Sequence, residues 1–192
     1  MLTMTKPAQI ETYTGIMFDL LNPTIDMIDI RDIAHAGSQL CRFTGHTKFL
    51  YPIAQHELLG SYLVPEENAL EFLLHDAAES YVNDMSRPLK YMTECGDYYR
   101  QIEERIQVLI RQKFGLPAVQ SPIIHEVDNA MLLAEKEQLM GKARWSAESM
   151  AACQVYGSSA TVTIHELLPR EVESQFLNRF IELVNPINPI RR

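Results

Sequence analysis

Apolar side chains recur every three or four residues in several segments of the chain, and this spacing is typical of amphipathic helices. The clearest segment runs from Asp97 to Gly115. Its apolar positions form one stripe: Ile102, Ile106, Leu109, Ile110 and Phe114. Gly115 suits the left-handed backbone with which many helices end. The pattern therefore predicts one long helix whose single apolar face packs against the rest of the protein.

The same spacing, together with capping residues and early prolines, predicts further helices. They cover residues 29–40, 52–64, 66–82, 122–140 and a final segment from Pro169. Residues 83–96 are expected to form a loop, and TVTI at 161–164 allows a short strand. Residues 11–28 are irregular or weakly β in pattern. The sequence predicts one all-α domain over residues 1–192, with five or six main helices and room for a small β element near the N-terminus.

The composition is that of an ordinary globular protein: 46% of the 192 residues are hydrophobic, 22% are charged, and the formal net charge is −8. A net negative charge argues against binding to nucleic-acid polymers or to anionic membranes. The chain has no run of about 18 apolar residues that would span a membrane, and its N-terminus lacks the apolar core of a secretory signal. Its three cysteines form no CxxC pair. We therefore expect a soluble, cytoplasmic protein.

Candidate chemistry is concentrated in FLLHDAAES, within a predicted helix. His75, Asp76 and Glu79 lie there within about one turn of each other, among apolar neighbours. Such polar groups carry a desolvation cost unless they are paired or bind a metal. His56 and Asp128 occupy similar mid-helix positions in two other predicted helices. Two imidazoles and two carboxylates suit a divalent cation such as Mn, Fe, Co or Zn. The alternative is that each group is a buried polar residue with an ordinary hydrogen-bond partner.

Three longer motifs extend this pattern. HDAAESYVNDMSRPLKY begins at the central His-Asp pair, CRFTGHTKFLYPIAQHE precedes it, and VDNAMLLAEKEQLM contains the last aspartate. Over residues 29–140 the chain resembles the HD-domain metal-dependent phosphohydrolases, and among them the YfbR-like 5′-deoxynucleotidase branch. The resemblance implies an HD-domain helical bundle, followed by a C-terminal loop and helix over residues 141–192. It also implies an enzyme that hydrolyses nucleotide phosphoesters with a bound metal ion.

The resemblance assigns roles to individual residues. Four of them occupy the places of the family's metal ligands: His56, His75, Asp76 and Asp128. The implied cofactor is one divalent transition-metal ion (Co, Mn or Zn), with Mg as an option at a second site carried by the substrate. Glu79 would be the general base or would support the ligands, and Asp84 would orient or activate the attacking water. Glu135, seven residues after the last ligand, is expected to brace another group rather than to bind the metal.

Five further positions are candidates for substrate binding: Arg42, Phe43, His46, Arg87 and Lys90. The resemblance implies that Arg42 and Lys90 hold phosphate oxygens, and a guanidinium can do so with two parallel hydrogen bonds. Phe43 occupies a position where nucleotidases of this branch often have tryptophan, so selectivity for deoxyribose stays open. His46 and Arg87 are either additional phosphate contacts or loop residues without that role.

The implied reaction is hydrolysis of a 2′-deoxyribonucleoside 5′-monophosphate to a deoxynucleoside and phosphate. A first alternative is a dNTP triphosphohydrolase that releases triphosphate, as in the DatZ-like branch. A second alternative is a non-catalytic HD domain that only binds nucleotide. In each case the partner is a small nucleotide, and we expect a homo-oligomer, either a dimer or a larger assembly.

Overall fold

The computed structural model describes residues 8–141 and 161–185 of the chain. Within these ranges the protein is mostly helical, with a two-stranded sheet near the N-terminus. The strands are β1 (Gln9–Glu11) and β2 (Met17–Asp19). The helices are α1 (Ile30–Gln39), α2 (Ile53–Gly60), α3 (Ala69–Leu73), α4 (Glu79–Val82), α5 (Arg87–Met92), α6 (Glu94–Phe114), α7 (Pro122–Leu139) and α8 (Pro169–Val184). The predicted, mainly helical architecture is confirmed.

The small β element predicted near the N-terminus is an antiparallel hairpin, in which Ile10 pairs with Phe18. Asp32 of α1 accepts hydrogen bonds from the backbone N–H and from the hydroxyl of Thr14, in the turn of the hairpin. Phe18 is fully buried and stacks against Tyr81 at a centroid distance of 4.1 Å. The hairpin is thereby fixed to α1 and to the core.

Helix α1 lies at the centre of the fold, in contact with α2, α4 and α8. Asp29 caps it as predicted, since its side chain accepts a hydrogen bond from the N–H of Arg31. On its core side, Ile33 is fully buried together with Ala54 of α2 and Phe176 of α8. Helix α8 also packs on α2 and α3. This core supports α2 and α3, which carry or adjoin the two candidate histidines.

The close packing of α2 on α3 depends on a glycine. A Cβ placed on Gly60 would lie 2.0 Å from the ring of Phe72, so only glycine fits there without displacing the ring. Helix α2 ends at this residue, whereas the prediction extended it to Val64. Because α2 and α3 pack this closely, His56 of α2 lies near His75, which follows α3.

The helix predicted over residues 66–82 is wrong in its middle. A turn over residues 74–78 divides it into α3 and α4, so His75 and Asp76 lie in a turn rather than in a continuous helix. Several backbone hydrogen bonds in this turn reach back three residues instead of four, as in a 3-10 helix. The pair of candidate ligands therefore lies at a break in the helical ladder.

Side chains from two neighbouring helices satisfy the backbone of this turn. Glu57 of α2 accepts the N–H of Asp76 at 3.2 Å. Gln107 of α6 accepts the N–H of Ala78 at 3.1 Å and donates to the carbonyl oxygen of Leu74 at 2.7 Å. Because these partners replace helical ones, the chain leaves helical geometry without leaving the buried amides unpaired.

Two other predictions need correction. The loop predicted over residues 83–96 contains α5, and α6 already begins at Glu94. Residues 161–164 do not form the short strand that TVTI allowed. Most of the predicted loop after Gly141 lies at residues 142–160, outside the described residues. Among the helices within residues 8–141 and 161–185, none is long and apolar enough to cross a membrane.

Candidate metal centre

The four residues predicted to bind a metal meet between α2, α7 and the turn that joins α3 to α4. His56 comes from α2, His75 and Asp76 from the turn, and Asp128 from α7. The side chain of His56 is completely buried and that of His75 is 4% exposed, whereas that of Asp128 is 36% exposed. The imidazoles thus form the closed side of the site, and Asp128 lies on its open side.

The potential ligand atoms are close together. Nε2 of His56 lies 3.4 Å from Nε2 of His75. Oδ1 of Asp128 is 3.2 Å from the first of these nitrogens and 4.0 Å from the second. Oδ2 of Asp76 is 3.3 Å from Nε2 of His75. Histidine nitrogens and carboxylate oxygens bind divalent metals at about 2.0–2.2 Å, so one small cation matches His56, His75 and Asp76, whose ligand atoms all lie within 4.8 Å of one another. Asp128 is close to both imidazoles but lies outside this group of three.

Each imidazole uses its other nitrogen as a donor, and this fixes the direction of its free lone pair. Nδ1 of His75 lies 2.7 Å from the carbonyl oxygen of Phe72, which can only accept. Nδ1 of His56 lies 2.6 Å from Oε1 of Glu135. If both rings were neutral, the lone pairs of the two Nε2 atoms would face each other and the carboxylates of Asp76 and Asp128. Such an arrangement needs a positive charge among the four atoms, and the residues present fit a metal ion in that place.

In the metal-free protein this positive charge is a proton on His56. Burial and the Arg42 guanidinium lower the pKa of the His56 imidazole, but Glu135 and Asp128 outweigh them and raise it to about 9. Burial raises the pKa of Asp128, but its hydrogen bond with His56 dominates and keeps that pKa well below its usual range. At pH 7 the His56 ring is therefore a cation paired with two carboxylates.

Metal uptake is expected to depend on pH, because a metal ligand must be deprotonated and binding has to release the His56 proton. Below the His56 pKa of about 9, each rise of one pH unit raises about tenfold the population of the neutral ring, which is the form that can bind the metal. The apparent Kd for Mn²⁺ should therefore fall by about tenfold per unit between about pH 6.5 and 8.5. Titration calorimetry in buffers of different ionisation enthalpy measures both the Kd and the released protons. A Kd that stays constant, with no proton release, would contradict this assignment.

Glu135 connects His56 to two further side chains. Its carboxylate is fully buried and accepts a hydrogen bond from the hydroxyl of Tyr51 at 2.9 Å. Its Oε2 lies 3.2 Å from Arg42, which also reaches Asp76 at 3.3 Å. Burial raises the pKa of Glu135, but the charges of Arg42 and His56 outweigh it and lower that pKa. The prediction that Glu135 braces another group is confirmed, and the Tyr51 contact was not foreseen.

Replacement of Glu135 by glutamine should lower the free energy of unfolding of the metal-free protein by roughly 3 kcal/mol. The substitution keeps the side-chain volume but leaves the buried cations of Arg42 and His56 without their shared counter-ion. Urea denaturation at pH 7 measures the change. Glu126→Gln removes a carboxylate from the same helix and should change stability by less than about 0.5 kcal/mol. Equal stability of the two variants would show that Glu135 does not hold the cluster together.

Glu57 is a buried carboxyl group that the sequence analysis did not identify. It follows His56 in α2 and is fully buried. Its Oε1 accepts the N–H of Asp76, while its Oε2 has no hydrogen-bond partner among the residues that the structure describes. Burial raises the pKa of Glu57 well above its usual range, and the charge of Asp76 acts in the same direction. Glu57 therefore supports the turn through a buried carboxyl group that accepts the N–H of Asp76.

The two residues predicted to act in catalysis lie beside the centre. Glu79, at the start of α4, is buried, and its Oε1 lies 3.6 Å from the ammonium of Lys90. Burial raises the pKa of Glu79 well above its usual range, and the charges of Asp76 and Asp84 add to this effect. Burial also raises the pKa of Asp84, although the charge of Arg42 opposes it. The charges of Asp76 and Arg42, which belong to the centre, therefore act on the pKa values of both carboxyl groups.

The predicted substrate residues are divided between the centre and the surface. Arg42 belongs to the buried ion cluster, and its guanidinium carbon lies 5.6 Å from the ring centroid of Phe43. Phe43 has a φ of +54°, which distorts the 3-10 turn in which it lies. His46 and Arg87 are exposed, and Arg87 lies over the ring of Tyr91 at 5.2 Å. The structure therefore places Arg42 in the centre, Phe43 next to Arg42, and the other two at the surface.

Comparison with known proteins identifies two relatives. No protein-family model matches the chain. It is 42% identical over 132 residues to the uncharacterized protein YfdR of Escherichia coli K12, and the match covers 68% of this chain and 71% of that protein. The chain belongs to the YfdR family. The chain is also 31% identical over 193 aligned residues to the uncharacterized protein RCAP_rcc00048 of Rhodobacter capsulatus, and this match covers 91% of this chain and 95% of that protein.

Proposed function

We propose that the protein is a metal-dependent phosphohydrolase of the HD-domain type that acts on 2′-deoxyribonucleoside 5′-monophosphates. Four side chains would hold the metal ion: His56, His75, Asp76 and Asp128. One observation carries the proposal: each imidazole has Nδ1 opposite an acceptor oxygen, and its Nε2 lies near a candidate carboxylate ligand, Asp128 for His56 and Asp76 for His75. The two Nε2 atoms face each other at 3.4 Å, so a positive charge is needed beside them. The His56 proton supplies it in the metal-free protein, and a bound metal ion would replace that proton.

A divalent cation at this site would supply a Lewis acid and lower the pKa of a water molecule toward neutrality. The side chains around it have the properties that the remaining steps require. Glu79 is the candidate for accepting a proton from the attacking water, because burial raises the pKa of its carboxyl group and makes the carboxylate a stronger base. Its Oε2 has no hydrogen-bond partner within the described part of the chain, so that oxygen is available as an acceptor. Asp84 is the candidate for orienting the water.

Arg42 and Lys90 are the cations that support binding of one phosphoryl group. The Nε of Arg42 is buried and lacks a hydrogen-bond partner in residues 8–141 and 161–185, which leaves a donor for a ligand. Lys90 lies 3.6 Å from Glu79, so its ammonium is next to the proposed base. Positive groups placed where negative charge develops stabilise the transition state of phosphoryl transfer. Phe43, next to Arg42, is the candidate for contact with the sugar.

A monophosphate suits these cations better than a triphosphate does. The β and γ groups of a dNTP would need further positive side chains, and His46, Lys48 and Arg87 are the candidates near the site in sequence. Lys48 donates to the carbonyl oxygen of Gln138 at 2.5 Å, and Arg87 lies over an aromatic ring. Both cations would have to leave these partners to bind a longer phosphate chain.

The test is incubation of the purified protein with each dNMP and each dNTP in the presence of Mn²⁺, Co²⁺ or Zn²⁺, followed by identification of the released phosphate species. We expect inorganic phosphate from at least one dNMP and no release by metal-stripped protein. Inorganic triphosphate from a dNTP, with no activity on any dNMP, would establish the triphosphohydrolase alternative. Nucleotide binding without turnover would establish a non-catalytic module.

A further inference from the structure

One face of α6 contacts residues 83–90, the segment that carries two candidate active-site residues, Asp84 and Lys90. Gly96, Tyr99, Arg100 and Glu103 are spaced so that they lie on the same side of the helix. All four contact residues 83–90, which run from the end of α4 into α5. We call these four residues the α6 clamp.

Gly96 and Arg100 fix the backbone of α5. A Cβ placed on Gly96 would lie 2.2 Å from the carbonyl oxygen of Lys90 and 2.4 Å from that of Leu89, so only glycine lets the two backbones approach so closely. Arg100 donates a hydrogen bond to the same Lys90 carbonyl. Its guanidinium carbon also lies 5.1 Å from the ring centroid of Tyr91. The place of Lys90 on α5 is therefore set from α6.

Glu103 fixes the side chain of Lys90. Its Oε1 lies 2.7 Å from the ammonium nitrogen, and the two side chains are 16% and 15% exposed. The hydroxyl of Tyr99 lies 3.2 Å from the same carboxylate oxygen. A lysine side chain has four flexible carbons, and an unpaired one would lose its defined position beside Glu79. Glu103 is thus the nearer of the two carboxylates beside the Lys90 ammonium, since Glu79 lies 3.6 Å from it.

Tyr99 holds the turn that precedes Asp84. Asn83 in this turn has a φ of +72°, a left-handed conformation that is unfavourable for residues other than glycine. The hydroxyl of Tyr99 donates to the carbonyl oxygen of Asn83, and the Asn83 side chain accepts the N–H of Asp84 at 2.8 Å. The backbone at Asp84 is therefore tied to α6 through its neighbour.

We propose that the α6 clamp positions Lys90 and Asp84 for the reaction. Its members are positioning residues: they act through the residues they hold, and the inference rests on the proposed function. Glu103 is the decisive member, because it alone of the four forms an ion pair with the Lys90 side chain. Loss of its charge should release the ammonium from its place next to Glu79.

A double-mutant cycle tests this role. Glu103→Gln should lower kcat/KM by about 10- to 100-fold, because a charge-assisted hydrogen bond is lost. Glu104→Gln, one residue along on the exposed side of α6, is the matched control and should leave kcat/KM unchanged. In a Lys90→Gln background, Glu103→Gln should change kcat/KM by less than about twofold, because its effect passes through Lys90. An equal loss in both backgrounds, or no loss in the wild-type background, would overturn the proposal.

A second measurement does not depend on turnover. Burial lowers the pKa of Lys90, but the Glu103 carboxylate outweighs this and raises it. In competitive labelling with acetic anhydride, Lys90 should therefore react about tenfold faster in Glu103→Gln than in the wild type, with no change in Glu104→Gln. Unchanged labelling would overturn the clamp even in an active enzyme. Faster labelling in a protein without phosphohydrolase activity would support the clamp and count against the proposed function.

Discussion

Replacement of His75 by alanine is expected to abolish metal uptake and turnover together. The variant removes an Nε2 that lies 3.4 Å from that of His56 and 3.3 Å from Asp76 Oδ2. Three remaining ligands would hold a divalent cation poorly, and the affinity should fall by at least about 100-fold. Metal content after dialysis against Zn²⁺, measured by mass spectrometry, and phosphate release from dNMPs give the two readouts on one preparation.

His125→Ala is the matched control for this variant. His125 lies on α7, one turn before Asp128, and is exposed. Its removal should leave the metal content and the rate unchanged. A His75→Ala protein that binds one equivalent of metal as tightly as the wild type would contradict the proposed ligand set. A variant that binds metal normally but has lost its activity would instead move His75 from the ligands to the substrate contacts.

Replacement of Glu79 by glutamine should lower kcat by about 10²–10⁴-fold while the metal stays bound. Glutamine keeps the volume of this buried side chain but cannot accept a proton. Glu79 is not among the proposed ligands; its Oε1 lies near Lys90, and its Oε2 is buried without a partner among the residues described. Rapid-quench measurement of phosphate release, together with metal analysis of the same sample, separates catalysis from metal binding.

The exposed Glu67, before α3, provides a control of the same chemistry, and Glu67→Gln should behave as the wild type. If Glu79→Gln retains a near-normal rate, the assignment of the base is wrong and Asp84 becomes the leading candidate. If the variant loses its metal as well as its activity, Glu79 supports the ligands and the two roles cannot be separated.

Those helices that carry one apolar stripe could be predicted because the stripe is a local property of the sequence. Helix α6 extends from Glu94 to Phe114 and ends at Gly115 as expected. The break between α3 and α4 could not be predicted, since its partners Glu57 and Gln107 lie 19 and 29 residues away from the amides they accept. The apolar residues on both sides of the His-Asp pair keep helical spacing across the break, so the sequence contains no local sign of it.

The candidate ligands could be identified from residue type and order, because imidazoles and carboxylates are costly in apolar segments without a partner. The residues that support them could not. Tyr51 and Glu135 are 84 positions apart and meet only through tertiary packing. Glu103 falls on the polar side of a helix, where a glutamate that pairs with a buried lysine cannot be distinguished from one in solvent. The close approach at Gly96 likewise depends on where α5 lies.

The central claim is that His56, His75, Asp76 and Asp128 hold one divalent cation. The most direct test is the anomalous difference map of a crystal soaked in Zn²⁺ and measured on either side of the zinc edge. The account predicts one dominant peak, about 2.0–2.2 Å from both Nε2 atoms and from an oxygen of each carboxylate. A map with no peak at this point, or with zinc only at exposed side chains such as His125, would contradict it.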